Sequence, residues 1–150
     1  MGTKLRPEKS IQLREFLQSP RIGVLATVNR NGSPQISPIW YRYSDGKLTM
    51  STTGETLKCR NVRRDPRASL CVYSIPDGLE YVTLSGTAAV ADGASIWEET
   101  RAIVDLYELP EQAQKRMARL RSQNRVIITL VPAKIDFSKS EGRRSSRIEN

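Results

Sequence analysis

Ser51-Thr52-Thr53-Gly54, followed by Lys58, Arg60, Arg63 and Arg64, is the stretch of this sequence with the residue types for anion chemistry. Hydroxyls, a glycine and cations meet where an alternating β pattern gives way to a helical one. The first turn of a helix leaves N–H groups without partners and carries the positive end of the dipole, so such a junction suits a phosphate. The expected pocket is lined by Ser51, Thr52, Thr53 and Lys58, with Arg60 or Arg64 beside them. The spacing is not that of a Walker loop, and a helix bearing these cations reads equally as a solvated face. The chain has no histidine, which removes the usual general base, the imidazole triads and the commonest zinc ligand. Cys59 and Cys71 make no CxxC pair and are too few for a disulfide framework or a structural metal site. No metal site is expected, and reactivity is expected to come from a cofactor.

The elements that must position these residues are short strands. Alternation and turn pairs predict a strand over Arg21–Val28, an Asn31-Gly32 turn and a second strand over Pro34–Tyr43. An Asp45-Gly46 turn, a third strand over Lys47–Thr53, a basic helix over Glu55–Arg64 and a fourth strand over Arg67–Tyr73 follow. Asn-Gly and Asp-Gly between β-branched and aromatic runs are strong hairpin signals. Pro34 and Pro38 mark the second strand as an edge or a bulge, because proline cannot donate to a ladder. An interrupted edge leaves backbone groups, with Trp40 or Tyr41, free to meet a planar ligand; protection against edge aggregation accounts for the prolines equally well. The first strand is apolar on both faces, with Ile22, Val24, Ala26 and Val28 on one and Leu25 on the other. Cover on both sides is expected, a core on one and a helix or second subunit on the other.

Pro7, Ile11, Leu13, Phe16 and Leu17 predict an amphipathic helix that stops at Ser19-Pro20 and packs as a lid on the sheet. A long β run over Leu79–Ala91 contains Gly86, where a bend or bulge is expected. Ala94–Glu108 and Glu111–Arg121 read as two helices, the first with an apolar stripe of Ile96, Thr100, Ile103, Val104 and Tyr107 suited to core or subunit contact. The last strand, Arg125–Phe137, is expected to break at Pro132. Residues 1–137 read as one domain and 138–150 as a basic, flexible tail. Six strands around an inserted helical excursion argue for a mainly-β, small antiparallel barrel with peripheral helices.

The formal net charge of +8, from 24 Lys and Arg against 16 Asp and Glu, points to anionic partners without choosing among them. No apolar run approaches the roughly 20 residues that span a bilayer, and Met1–Ser10 lacks a signal-type apolar segment. No membrane partner and a cytoplasmic location are the expectation.

Four pieces carry a resemblance. They are Ile22-Gly23-Val24-Leu25-Ala26-Thr27, the run Gly32 to Trp40, the run Lys58-Cys59-Arg60-Asn61-Val62-Arg63-Arg64-Asp65-Pro66-Arg67, and Gly86 together with Arg125 to Leu130. In combination they resemble the pyridoxamine-phosphate-oxidase-like flavin-binding split barrels, and within them the small actinobacterial enzymes that use the deazaflavin coenzyme F420. The resemblance covers about residues 10 to 137. It implies a six-stranded antiparallel split β-barrel, the FMN-binding split barrel, forming a homodimer with the cofactor in a cleft between subunits. The ring is expected against the Ile36 to Tyr41 strand, with Gln35, Ser37, Pro38 and Trp40 as contacts. The phosphate is expected on Ser51, Thr52, Thr53 and Lys58, with Arg64 nearby.

A chain without histidine lacks the Arg-x-His segment of pyridoxamine-phosphate oxidases proper, so pyridoxal phosphate synthesis is not expected. Between F420 and FMN the subgroup resemblance favours F420, and the basic excess suits its oligoglutamate tail. The implied reaction is hydride transfer from C5 of the reduced deazaflavin to a small electron-poor alkene, imine or quinone-like substrate. Tyr41 and Tyr81 are candidate proton donors or wall residues, and no catalytic residue is assigned. Three other readings stay open: an FMN-dependent oxidoreductase of the same fold, a cofactor carrier without turnover, and a single-stranded nucleic-acid-binding barrel stacking bases on Trp40, Tyr41, Tyr43 and Tyr73. Of these, nucleic acid is the less expected partner.

Overall fold

Asn31-Gly32 and Asp45-Gly46 make the turns their residue types demand, with Gly32 at φ 84° and Gly46 at φ 73°. The structure, a computed structural model, describes residues 7–139. Its elements in chain order are α1 (Pro7–Gln18), β1 (Gly23–Val28), β2 (Pro34–Ile39), β3 (Arg42–Ser44), β4 (Lys47–Thr53) and α2 (Leu57–Arg64). Then come β5 (Arg67–Tyr73), β6 (Tyr81–Ala91), α3 (Ile96–Tyr107), α4 (Pro110–Leu120) and β7 (Arg125–Ser138). The strands form one antiparallel sheet in the order β2-β1-β5-β6-β7-β4-β3, curled into the half-barrel of a split-barrel fold.

Seven strands stand where six were expected, because the segment Pro34–Tyr43 is two strands on opposite edges of the sheet. β2 pairs with β1, with Ile36 opposite Ala26, whereas β3 pairs with β4, with Tyr43 opposite Leu48. Trp40 and Tyr41 carry the chain between the edges. The cause is a single hydroxyl from α3: the Tyr41 N–H donates to Tyr107 Oη at 3.1 Å. That hydroxyl in turn faces the carbonyl oxygens of Arg21 at 2.7 Å and Tyr41 at 2.9 Å. It satisfies backbone groups that a ladder would otherwise have to satisfy.

Alternation along the strands sends Leu25, Leu48, Met50, Leu70, Leu84 and Leu130 into one core. Each such side chain contributes about 1.5–3 kcal/mol by burial. α1 closes the core with Leu13, Phe16 and Leu17, as an apolar stripe requires, while Ile11 of the expected stripe stands 55% exposed. Tyr41 is also inside, its hydroxyl donating to the Leu17 carbonyl at 2.9 Å. On β1 the inward face is that of Leu25 and Thr27; Val24, Ala26 and Val28 lie half-buried on the other.

β7 runs through Pro132 without the expected break. Its pairing with β6 slips one residue between Ser85 and Gly86, so that Gly86 faces Pro132 while Ser85 faces Lys134. A Cβ on Gly86 would stand 2.0 Å from the Val131 carbonyl oxygen, so the bulge needs glycine. The strand also takes in Ser138, the first residue of the expected tail; residues 140–150 lie outside the described residues. α3 lies against β3, β4 and β7, and α4 packs on α3. No described helix is long and apolar enough to cross a membrane.

Candidate anion and cofactor site

β4 delivers its hydroxyls to alternate faces. Ser51 and Thr53 point outward and half-buried, but Thr52 is only 6% exposed and turned inward, its hydroxyl donating to Thr56 Oγ1 at 3.3 Å. The period of two forces this separation. Thr56 is the N-cap of α2: its Oγ1 accepts the Cys59 N–H at 3.4 Å and donates to the Thr53 carbonyl at 2.9 Å. The helix therefore starts at Leu57, two residues later than expected, and Lys58 stands in its first turn.

Lys58 Nζ donates to Ser37 Oγ on β2 at 3.1 Å. Ser51 Oγ accepts from Arg125 Nη2 at 2.9 Å and from its Nε at 3.3 Å. Arg125 reaches that position because it opens β7 directly opposite Thr53. Burial pushes the Lys58 ammonium below its usual pKa, with the Arg125 charge adding to the effect. Burial lowers Arg125 too, with Arg116 as the second cause. Among the described residues neither Lys58 nor Arg125 pairs with a carboxylate. Arg60, 200° around the helix from Lys58, is exposed.

Beside Arg125 a cavity of about 370 Å³ opens between the sheet and the two outer helices. Ile22, just before β1, and Pro38 and Ile39 of β2 line it on the sheet side, and Ile103, Val104 and Leu120 line it from α3 and α4. Its polar lining is Ser51, Arg116 and Arg125, with Trp40 at the same wall. The Trp40 ring is not free: it stacks on Tyr107 at 4.6 Å between centroids, planes 3° apart, and the Arg116 guanidinium lies 4.7 Å from its centroid. Arg116 is held in turn by Glu108, with Nε donating to Oε1 at 2.6 Å. A cavity of this size and lining takes a small organic molecule.

The residues expected at the site thus fall into three groups. Lys58 with Ser37, and Pro38 and Trp40 with Ser51, come together around Arg125; Thr53 stands opposite that arginine. Thr52 and Gln35 are engaged internally, Gln35 Oε1 accepting from Thr27 Oγ1 at 3.1 Å. Arg64 is turned to β1, where its Nη2 donates to Asn61 Oδ1 at 3.0 Å and to the Val28 carbonyl. Asn61, fully buried, donates to Thr27 Oγ1 at 3.1 Å and Asn29 Oδ1 at 2.9 Å. Asn61 and Arg64 therefore clamp α2 to β1.

Of the tyrosines considered as proton donors, Tyr41 is buried, bonded to Leu17, and raised far above the ordinary phenol range by that burial. Tyr81 lies opposite Ser138 on β6, outside the cavity lining. Sequence reasoning missed Arg116, Arg125 and Tyr107 as parts of the site. Arg125 had one signal, its place at the head of the last β run; Arg116 and Tyr107 had none, because helix packing alone brings them there.

A curled antiparallel sheet with a capped basic helix after its hydroxyl-bearing strand and two helices against its outer side defines the split-barrel class. Within that class, the chain belongs to the pyridoxamine 5'-phosphate oxidase family, whose profile matches residues 10–139. Among similar solved structures is an F420 reductase, 22% identical over 82% of this chain and 94% of that one, with a TM-score of 0.66. A conserved hypothetical protein from Mycobacterium tuberculosis is 21% identical over 96% of this chain and 99% of that one, with a TM-score of 0.75. A heme binding protein from Mycobacterium smegmatis is 24% identical over 93% of this chain and 57% of that one, with a TM-score of 0.70. At these identities the likeness is one of fold.

Proposed function

We propose that the protein is an oxidoreductase that uses reduced coenzyme F420 to transfer a hydride to a small electron-poor organic substrate, in a cleft completed by a second copy of the chain. The observation that carries this reading is Lys58: a partly buried ammonium in the first turn of α2, held to a β2 hydroxyl, beside a second cation, and with no carboxylate partner among the described residues. A phosphate relieves that arrangement, because it supplies the missing counter-charge and accepts from the free amides of the helix start.

When bound, the deazaflavin supplies the hydride through C5 of its ring. The chain's own work is binding and orientation. Lys58 and the α2 amides hold the phosphate, Ser51 and Thr53 offer outward hydroxyls beside it, and Arg125 adds its charge. The proline-bearing edge of β2 gives a ring a surface that no further strand covers. α3 and α4 wall one side of the adjoining cavity with apolar side chains. FMN has the same ring, ribityl and phosphate plan; the likeness to an F420 reductase and the net charge of +8, which suits an additional acidic tail, favour F420.

Titration of the purified protein with F420 and with FMN, each at low and high salt, tests the reading. F420 is expected to bind more tightly and to weaken as salt rises, and bound reduced F420 is expected to be oxidised on addition of menadione as acceptor. Tighter FMN binding with little salt dependence overturns the cofactor assignment. Binding without turnover of any acceptor leaves a carrier.

A further inference from the structure

We propose that the cavity between the sheet and the α3–α4 pair is a substrate pocket for apolar organic acids, its carboxylate-binding end formed by Arg116 and Arg125. The inference rests on the cofactor reading for the word substrate, and on the structure alone for the acid. The walls contributed by Pro38, Ile39, Ile103, Val104 and Leu120 accept an apolar body. Hydroxyl-rich or sugar-like molecules would find one hydroxyl there, that of Ser51.

The charged end is specific. A guanidinium has five N–H donors. Arg125 uses one from Nε and one from Nη2 on Ser51, and one from Nη1 on Gln123 Oε1 at 3.1 Å, leaving one on each amino nitrogen. Arg116 is oriented from behind by Glu108 and supported by the Trp40 face, so it meets the cavity in a fixed pose. Arg125 is depressed by its burial and then by the Arg116 charge, and the one carboxylate that pairs with either guanidinium among the described residues is Glu108 on Arg116, so a positive charge stays uncompensated. A carboxylate supplies that charge and matches the planar fork of an arginine. Lys58 does not line this cavity, so the second cation that meets the acid is Arg116 and not Lys58.

Calorimetric titration of the full-length, cofactor-free protein with 2-naphthoate and with its uncharged isostere 2-naphthamide tests the proposal. The wild type is expected to prefer naphthoate by roughly tenfold or more, the worth of a charge-assisted hydrogen bond. Arg125→Met and Arg116→Met are each expected to remove most of that preference. Arg125→Lys, which keeps a cation should the methionine variant fail to fold, is expected to retain part of it. Arg60→Ala, on the exposed side of α2, is expected to keep the preference in full. Equal affinity of the wild type for the two probes overturns the proposal, as does a preference that survives both methionine variants or disappears with Arg60→Ala. Because no cofactor is present, the outcome is independent of the F420 assignment. A naphthoate preference without F420 binding sinks only that assignment, and F420 binding without the preference sinks only the acid pocket.

Discussion

Lys58 is asked to do two opposed things. In the ligand-free protein it is a partly desolvated cation beside Arg125, and toward an anion it is the best-placed charge on α2. Lys58→Ala is expected to weaken cofactor binding by roughly ten- to a hundredfold while leaving the melting temperature of the free protein unchanged or slightly raised. Arg60→Ala, on the exposed side of the helix, is expected to change affinity by less than about threefold. Fluorescence titration of the two variants separates them, and equal losses would refute this orientation of α2. The opposition also has a pH signature. The folded pKa of Lys58 lies below the usual 10.5, so between the two values the unfolded chain binds more protons and stability rises with pH. Compared with Lys58→Met, the free wild type should therefore gain on its variant in urea unfolding as pH rises through the range just below 10.5. A constant difference across that range would show that Lys58 is not desolvated. What sequence could yield here was what lies close in the chain: a hydroxyl-rich strand end and a lysine one helix entry later. Arg125 and Arg116 escaped because their place depends on β7 pairing with β4 and on α4 packing over α3, which no local pattern records.

At the scale of elements, the K-x-R-N-x-x-R run divides between two tasks. Lys58 reaches the Ser37 hydroxyl on β2, whereas Asn61 and Arg64 fasten α2 to the end of β1 through Thr27, Val28 and Asn29. Asn61→Ala strips buried donors and acceptors from that clamp and is expected to cost about 2–3 kcal/mol in urea unfolding. Gly86→Ala is expected to cost at least as much for another reason, since its methyl would force apart two paired backbones at the β6–β7 bulge. A loss below about 0.5 kcal/mol in either variant would contradict the contact it removes. The bulge was legible from an isolated glycine in a long β run. The division of Pro34–Tyr43 into β2 and β3 was not. Its local pattern is continuously β, and the interruption comes from the Tyr107 hydroxyl, which belongs to a helix far along the chain. Thr52 was misplaced for a simpler reason: adjacent hydroxyls on a strand cannot share a face.

For the whole molecule, the outer face of β1 and β2 is the open question that the cofactor reading answers. Val24, Ala26 and Val28 are half-buried there, and Ile36 beside them is 66% exposed. A second copy seated on this face would cover it and wall the cleft. Sedimentation is expected to show a dimer at low micromolar protein, and Ile36→Asp is expected to shift it toward monomer and to weaken F420 binding in parallel. A wild-type monomer that binds F420 tightly would end that proposal. The strand order carries a further consequence, for the birth of the molecule. β7 lies between β6 and β4 in the sheet but is the last described strand along the chain. Until it leaves the ribosome, the nascent chain can hold only two separate pieces, β2-β1-β5-β6 and β4-β3, each with a bare edge toward the missing strand. Met50 waits for Ile128 and Val90 for that same residue, so both halves of the core are completed by one late segment. β7 is therefore the strand that closes the sheet, and the interval before it pairs is when the bare edges of β6 and β4 are open to wrong partners.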